Sequence, residues 1–398
     1  MENYPIFSFI IVSYRNYHYI FECIDSVLTQ DYPNIEIIIS NDGSDDFDEM
    51  EIRDYINRYK SKNIKSVVIN NNSTNLGTVK NINKALSFAT GEYIMIIAAD
   101  DALFNNSVFS NFANYFEENK DILVVTSQCK MYDIDLKTFQ TNAVQPNQVQ
   151  MIKNYTSLEL YNEISVACLI PAGACCFRRE IYRKYGYYDE EIFLIEDWSF
   201  FLRIVRMGAK IGWLDITAIK HRDGGISHGN VNNDTKAMFH YYDDVIKITE
   251  KEILPYMNML TRDKRKHVKK EYNNVKIGYV KKYKWHQYSF LDKFIYCVTH
   301  FSTISNKLLE KTGVNHRNML DKLSSKKRVL FIFATLMLLI YSVCDFKNLM
   351  PTTYALIMKL LVGYIGLTCF ISSFVITGLL ILRKMFRKVM VLGKLFIK

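Results

Sequence analysis

The sequence predicts an α/β fold, a doubly wound and mainly parallel sheet, followed by basic helices and a C-terminal transmembrane helical hairpin. Three observations carry this prediction. Short β-branched apolar runs alternate with segments of helical period from Phe7 to Ala98, the pattern of strands joined by crossover helices. Basic residues crowd into 262–284 and again into 383–398. Two uncharged apolar runs occupy 329–344 and 360–382, and about 20 apolar residues suffice for a helix to cross a bilayer. A chain of 398 residues is too long for one ordinary domain, and the expected division is 1–234 for the α/β domain, 235–328 for a basic, membrane-proximal helical region and 329–398 for membrane segments with a basic tail.

The elements follow in order. Residues 7–12 (FSFIIV) form a strand that stops at Ser13-Tyr14, after which Ile20, Cys23, Ile24, Val27 and Leu28 recur at helical spacing. A second strand over 35–39 meets the turn Asn41-Asp42-Gly43-Ser44; a polar helix over 50–59 and a third strand over 66–69 come next. Asn75-Leu76-Gly77 opens a helix over 79–88 that closes at Thr90-Gly91, where glycine suits the helix end. The fourth strand, 93–98, runs straight into Asp100-Asp101. Open α/β sheets bind ligands just past the C-terminal ends of their strands. A helix near 108–117 and a strand near 122–126 precede a polar stretch, 133–154, expected to be a loop or lid. Ile195-Glu196-Asp197-Trp198 starts a helix whose apolar face runs through Phe200, Phe201, Ile204 and Val205. An acidic residue there suits the helix dipole, so Asp197 also reads as a simple cap.

The net charge of +9 is modest but unevenly placed. No zinc-finger spacing, ribonucleoprotein motif or heptad zipper accompanies the basic clusters, which excludes nucleic acid as the expected partner and leaves an anionic membrane. Most exposed charge runs are solvated faces, which is the alternative reading of the basic helices. Eight cysteines without a CxxC pair, two of them in the apolar tail, predict neither a disulfide framework nor a zinc site. Met1 to Pro5 shows no basic stretch leading into an apolar core, so no secretory signal is expected. Lys326, Lys327 and Arg328 before the apolar pair, and Arg383, Lys384, Arg387 and Lys388 after it, place both ends of the hairpin in the cytoplasm by the positive-inside rule.

Five ordered motifs sharpen this reading: FIIVSYRN at 9–16, IEIIISNDGSDD at 35–46, NLGTVKNINKAL at 75–86, GEYIMIIAADDAL at 91–103 and IEDW at 195–198. Together they make residues 6–228 resemble glycosyltransferase family 2, whose members use the GT-A fold. The resemblance implies that Val12, Ser13, Tyr14 and Asp42 hold the donor nucleoside and that Lys80 stands where the family has arginine beside the base. It implies that Asp100 and Asp101 bind Mn²⁺ or Mg²⁺; hard oxygen ligands suit cations that also bind phosphate. Asp197 would be the catalytic base, with Glu196 beside it able to raise its proton affinity by like-charge repulsion. Gly173, within Ala172-Gly173-Ala174, and Trp198 would face the acceptor. Arg222 would reach the donor diphosphate, with His221 or His228 as further metal ligands. One departure stands out, since Ala98 occupies the place of a further aspartate in the commonest pattern.

The resemblance implies an inverting, metal-dependent glycosyltransferase that moves a sugar from a nucleotide-sugar donor, a UDP-sugar foremost, to a hydroxyl of a lipid-linked or other glycan acceptor in surface polysaccharide biosynthesis. Its expected location is the cytoplasmic face of the bacterial plasma membrane, anchored by the C-terminal helices. The alternatives are a catalytically inactive nucleotide-sugar binding or scaffolding protein, for which Ala98 speaks, and a processive polysaccharide synthase, against which the missing QxxRW motif and the few spanning segments speak.

Overall fold

A computed structural model of the chain describes residues 4–224 and 235–289, together with Tyr296. The strands are β1 (Phe7–Ser13), β2 (Ile35–Asn41), β3 (Ile64–Asn71), β4 (Tyr93–Ala98), β5 (Ala102–Leu103), β6 (Val124–Tyr132), β7 (Phe139–Asn142), β8 (Cys175–Arg178) and β9 (Ile211–Arg222). The helices are α1 (Ile20–Leu28), α2 (Glu49–Tyr59), α3 (Thr78–Phe88), α4 (Val108–Glu118), α5 (Pro146–Asn154), α6 (Ser157–Ile164), α7 (Glu180–Tyr185), α8 (Glu196–Arg206), α9 (Thr235–Ile248) and α10 (Arg262–Tyr279). All of these lie in one compact unit, Met1–Gln287; a second unit is Tyr288–Lys398.

Through β4 the chain behaves as its alternating pattern predicts. Strands β3, β2, β1 and β4 lie side by side and parallel. Every residue of β2 is buried, as expected of a strand covered on both faces. The alternation of side chains sorts the two faces. Phe7, Phe9, Ile11, Ile37 and Ile39 pack with Ile24 of α1, Ile52 of α2 and Phe109 of α4, whereas Ile10, Ile38 and Ile94 pack with Ile82 of α3, Leu160 of α6 and Phe201 of α8.

Beyond β4 the expectation of a mainly parallel, doubly wound sheet is corrected. The nine-stranded sheet is mixed, in the order β3-β2-β1-β4-β8-β6-β9-β5, with β7 paired to β6. β8 runs antiparallel to both β4 and β6, and β9 is parallel to β6 but antiparallel to β5. The physical reason is connectivity: β6 and β7 form a hairpin, and β8 enters from the opposite end through the tight turn Ala172–Ala174. Segment 133–154, expected as a loop or lid, instead contains β7 and α5, the latter opened by Pro146 at its first position and capped at the same end by Gln148, whose Oε1 accepts from the Gln145 N–H at 2.8 Å.

The transmembrane hairpin in the expected fold, and with it the anchoring at a membrane, is likewise corrected. No helix among the described residues is long and apolar enough to cross a membrane. α10, with 18 residues, carries charged side chains along much of its length. The apolar runs 329–344 and 360–382 lie outside the described residues, as does His228.

Candidate active site

The C-terminal ends of β1, β2 and β4 converge on one edge. At the end of β1, Ser13 Oγ donates to Asn16 Oδ1 at 2.8 Å and the backbone N–H of Tyr14 donates to the same oxygen at 3.1 Å. The Asn16 amide is thereby oriented, and its Nδ2 reaches Asp100 Oδ1 at 3.3 Å. The carbonyls of Val12 and Ser13 accept from Ala99 and Asp42, so the three strand ends are stitched together by backbone. Tyr14 itself is exposed, with the Arg15 guanidinium 5.1 Å from its ring centre.

Asp42, at the end of β2, is buried. Its Oδ1 accepts from Leu76 N at 2.8 Å and its Oδ2 from Gly77 N at 2.9 Å, which fixes the turn that opens α3. Below it lies a polar network: Asn72 Nδ2 donates to Asn81 Oδ1 at 2.9 Å, Ser40 Oγ to the same oxygen at 2.6 Å, and Lys84 Nζ to Asn72 Oδ1 at 2.7 Å. Lys80 stands exposed in the first turn of α3.

Asp100 and Asp101 diverge in surroundings. Asp101 is buried, and its oxygens accept from Arg222 N at 3.0 Å and meet His221 Nδ1 at 2.8 Å. Asp100 is only half-buried, and burial first, then the charge of Asp101, raise its carboxyl above the ordinary range. Burial pulls His221 down, but the hydrogen bond and charge of Asp101, helped by Asp100 and Asp223, outweigh it and hold the imidazole above its usual value. Arg222 is buried with its guanidinium turned into the protein: Nε donates to the Asp100 carbonyl at 2.7 Å, and the two terminal nitrogens meet the Ile134 carbonyl and the Glu22 carboxylate. It also lies 4.0 Å from the centre of the Tyr19 ring. Arg222 is thus a strut beneath the acidic pair, and the structure does not direct it toward a diphosphate.

Glu196 and Asp197 form the first turn of α8. Burial raises both carboxyls; Glu196 is raised further by the charge of Asp197, whereas the backbone N–H of Trp198, at 2.7 Å from Asp197 Oδ1, works against the rise at Asp197. Trp198 donates its indole N–H to the Ile164 carbonyl at 2.7 Å, which gives it a packing role against α6. A Cβ placed on Gly173 would meet nothing within 4 Å, so the space in front of that residue is open.

Comparison with known proteins decides what this edge belongs to. Residues 8–186 match the family model described as glycosyl transferase family 2. The chain is a glycosyltransferase, similar to family 2 over those residues. Among its relatives, an uncharacterized glycosyltransferase of Haemophilus influenzae is 26% identical over 66% of this chain and 78% of its own length. One of Rickettsia typhi is 28% identical over 52% of this chain, and the match spans 60% of the relative. Among solved structures, S. aureus TarS 1-349 in complex with UDP-GlcNAc aligns at a TM-score of 0.48 with 17% identity, covering 81% of this chain and 80% of that one, a likeness too low to extend anything of that protein to this one.

Of the residues anticipated from sequence, Val12, Ser13, Asp42 and Asp100 lie at the joined strand ends, and Glu196 and Asp197 lie in the first turn of α8. Sequence reasoning assigned no role to Asn16, which orients Asp100, to Glu22, which receives Arg222, or to Phe193, whose ring lies against Gly77. Asn16 had a signal in its motif; Glu22 and Phe193 did not, since their partners are distant in sequence.

Proposed function

We propose that this glycosyltransferase transfers a sugar from a nucleotide-sugar donor, a UDP-sugar foremost, to a hydroxyl of a glycan acceptor with inversion at the anomeric carbon, and that it needs a divalent cation. The reading is carried by Asp100: a carboxylate at the C-terminal end of a parallel strand, with burial and Asp101 both opposing its charge. Such a site gains from a cation, and its oxygens are hard donors. Among the described residues no three His, Cys, Asp or Glu side chains form a ready metal cage, and Asp101 already faces two partners. Asp100 would therefore hold Mn²⁺ or Mg²⁺ together with donor oxygens, with His221 as the neighbouring candidate ligand. When bound, the ion stabilises charge growing on the diphosphate leaving group.

The chain's own residues supply the rest. The exposed Tyr14 ring and the β1 end offer the nucleoside a flat face, and Asp42 keeps the Leu76-Gly77 turn in place beside it. Lys80 offers a cation on the same edge. At α8, burial holds both carboxyls of the pair above their ordinary range, and Asp197 is the acceptor for a proton. As the acceptor oxygen bonds to the anomeric carbon, its proton passes to Asp197, and the bond from that carbon to the phosphate oxygen breaks with its electron pair going to the diphosphate. A single displacement of this kind inverts configuration.

The test is a donor screen that measures nucleotide release by the full chain with Mn²⁺, Mg²⁺ or a chelator, and with soluble and polyprenyl-linked glycans as acceptors. Turnover with either cation and none with chelator is expected. Undiminished turnover in chelator would refute the role given to Asp100, and release by Asp197→Asn at the wild-type rate would refute the base.

A further inference from the structure

α9 carries a carboxylate that takes no part in the chemistry above. Asp244 is 1% exposed, and its oxygens accept the backbone N–H groups of Phe193 at 2.9 Å, Leu194 at 2.6 Å and Ile195 at 3.2 Å. These are the residues immediately ahead of Glu196 and Asp197. Ile195, which precedes α8, provides no side-chain cap of its own. The turn is instead fixed from α9, by charge-assisted bonds that are stronger than neutral ones.

Two further sets of contacts converge on the same turn. On its outer side, Lys247 Nζ donates to the Glu191 carbonyl at 2.9 Å, and Lys251 pairs with Asp189 at 2.8 Å and Glu191 at 2.7 Å. On its inner side, the Phe193 ring stacks on His240 of α9 with centres 4.1 Å apart. The same ring fills the space beside Gly77, where a Cβ would come within 2.7 Å of Phe193 Cε2. One side chain therefore touches α9, the turn that presents the base and the turn held by Asp42.

We propose that Asp244 is a positioning residue for sugar transfer: it fixes the 193–195 turn so that Asp197 meets the acceptor while Phe193 stays closed against the donor-side turn. This rests on the reading of Asp197 as the base. Burying a carboxylate whose partners are backbone amides is costly unless each bond is kept, so the arrangement has one good geometry and transmits it to α8. A reactive group displaced by about 1 Å loses rate by about a hundredfold, which is the sensitivity that gives such a clamp its effect.

The test uses the full chain carrying Asp244→Asn or Asp244→Ala, with Asp54→Asn, on the exposed face of α2, as the control. Amide hydrogen exchange is followed at 193–195, and steady-state nucleotide release is measured with UDP- and GDP-sugars in the presence of Mn²⁺. Asp244→Asn keeps the size of the side chain but sets an NH₂ group against a backbone N–H. Faster exchange at 193–195, unchanged protection in β1 and β4, a kcat lower by about 10- to 100-fold and a donor KM little changed are expected. Asp54→Asn changes none of these. Unaltered exchange at 193–195, or faster exchange with wild-type kcat, overturns the inference. Should Asp244→Ala also lose protection in β1 and β4, the asparagine variant decides alone. A wild-type chain silent toward every donor would remove the base assignment instead, and the exchange result stands apart from it.

Discussion

Gly77→Ala tests the join between the two halves of the site. Gly77 has φ 91° and ψ 155°, a region that is almost exclusively glycine's, and holding another residue there costs about 1–3 kcal/mol. The new Cβ would also lie 2.7 Å and 2.9 Å from two atoms of the Phe193 ring. That ring is stacked on His240 and cannot swing away freely, so moving it off its rotamer adds about 0.5–1.5 kcal/mol. A total destabilisation of about 2–4 kcal/mol follows. Urea unfolding of the full chain, followed by tryptophan fluorescence, measures it. Phe193→Ala removes only the steric part, so the double variant should recover about 1 kcal/mol of coupling. A loss below about 1 kcal/mol for Gly77→Ala would refute the backbone argument, and a cycle with zero coupling would refute the contact with Phe193.

Further outcomes concern the charged groups. Asp197→Asn should lower kcat by about 10²–10⁴-fold while leaving nucleotide binding intact, as titration with UDP or GDP would show. Arg222→Leu leaves the Asp100 and Ile134 carbonyls without their donor and should destabilise the fold by about 2–4 kcal/mol, read from the urea midpoint. Glu196 is held above its ordinary value, so the folded state favours its protonated form. Its penalty is absent below the unfolded value of 4.5 and grows as pH rises toward the folded one. Glu196→Gln should therefore gain stability over wild type in that window, and a difference independent of pH from 4 to 9 would contradict the assigned burial.

Much of the first half of the fold was legible because local pattern and tertiary fate agree there. The apolar run at 93–98 becomes β4 without adjustment, and Gly77 marks the start of α3; the helix ends instead at Ala89, and Gly91 answers to the close approach of Ile6 and Ser8. β9 was not anticipated, because Asp215, Thr217 and Lys220 interrupt its apolar residues and its pairing with β6 is settled by long-range register. The site was legible in its residues and less so in their tasks. The resemblance implied a diphosphate contact for Arg222; three partners distant in sequence, Glu22, Asp100 and Ile134, turn it inward. Asp244 carries no local signal at all, since its partners are three amides some fifty residues upstream.

The run from α8 to β9 has a practical consequence. α8 begins with Glu196 and Asp197, and β9 ends with His221 and Arg222 against the acidic pair. The connection between them passes through Gly208, at φ 93° and with open space around it. Helix and strand are thus joined by a short bend, 207–210, with room around its glycine. That bend is a natural place to insert a reporter or an affinity tag, and the segment 196–222 is a piece that a chimera could exchange whole, carrying Glu196, Asp197 and both partners of Asp101 in a single splice.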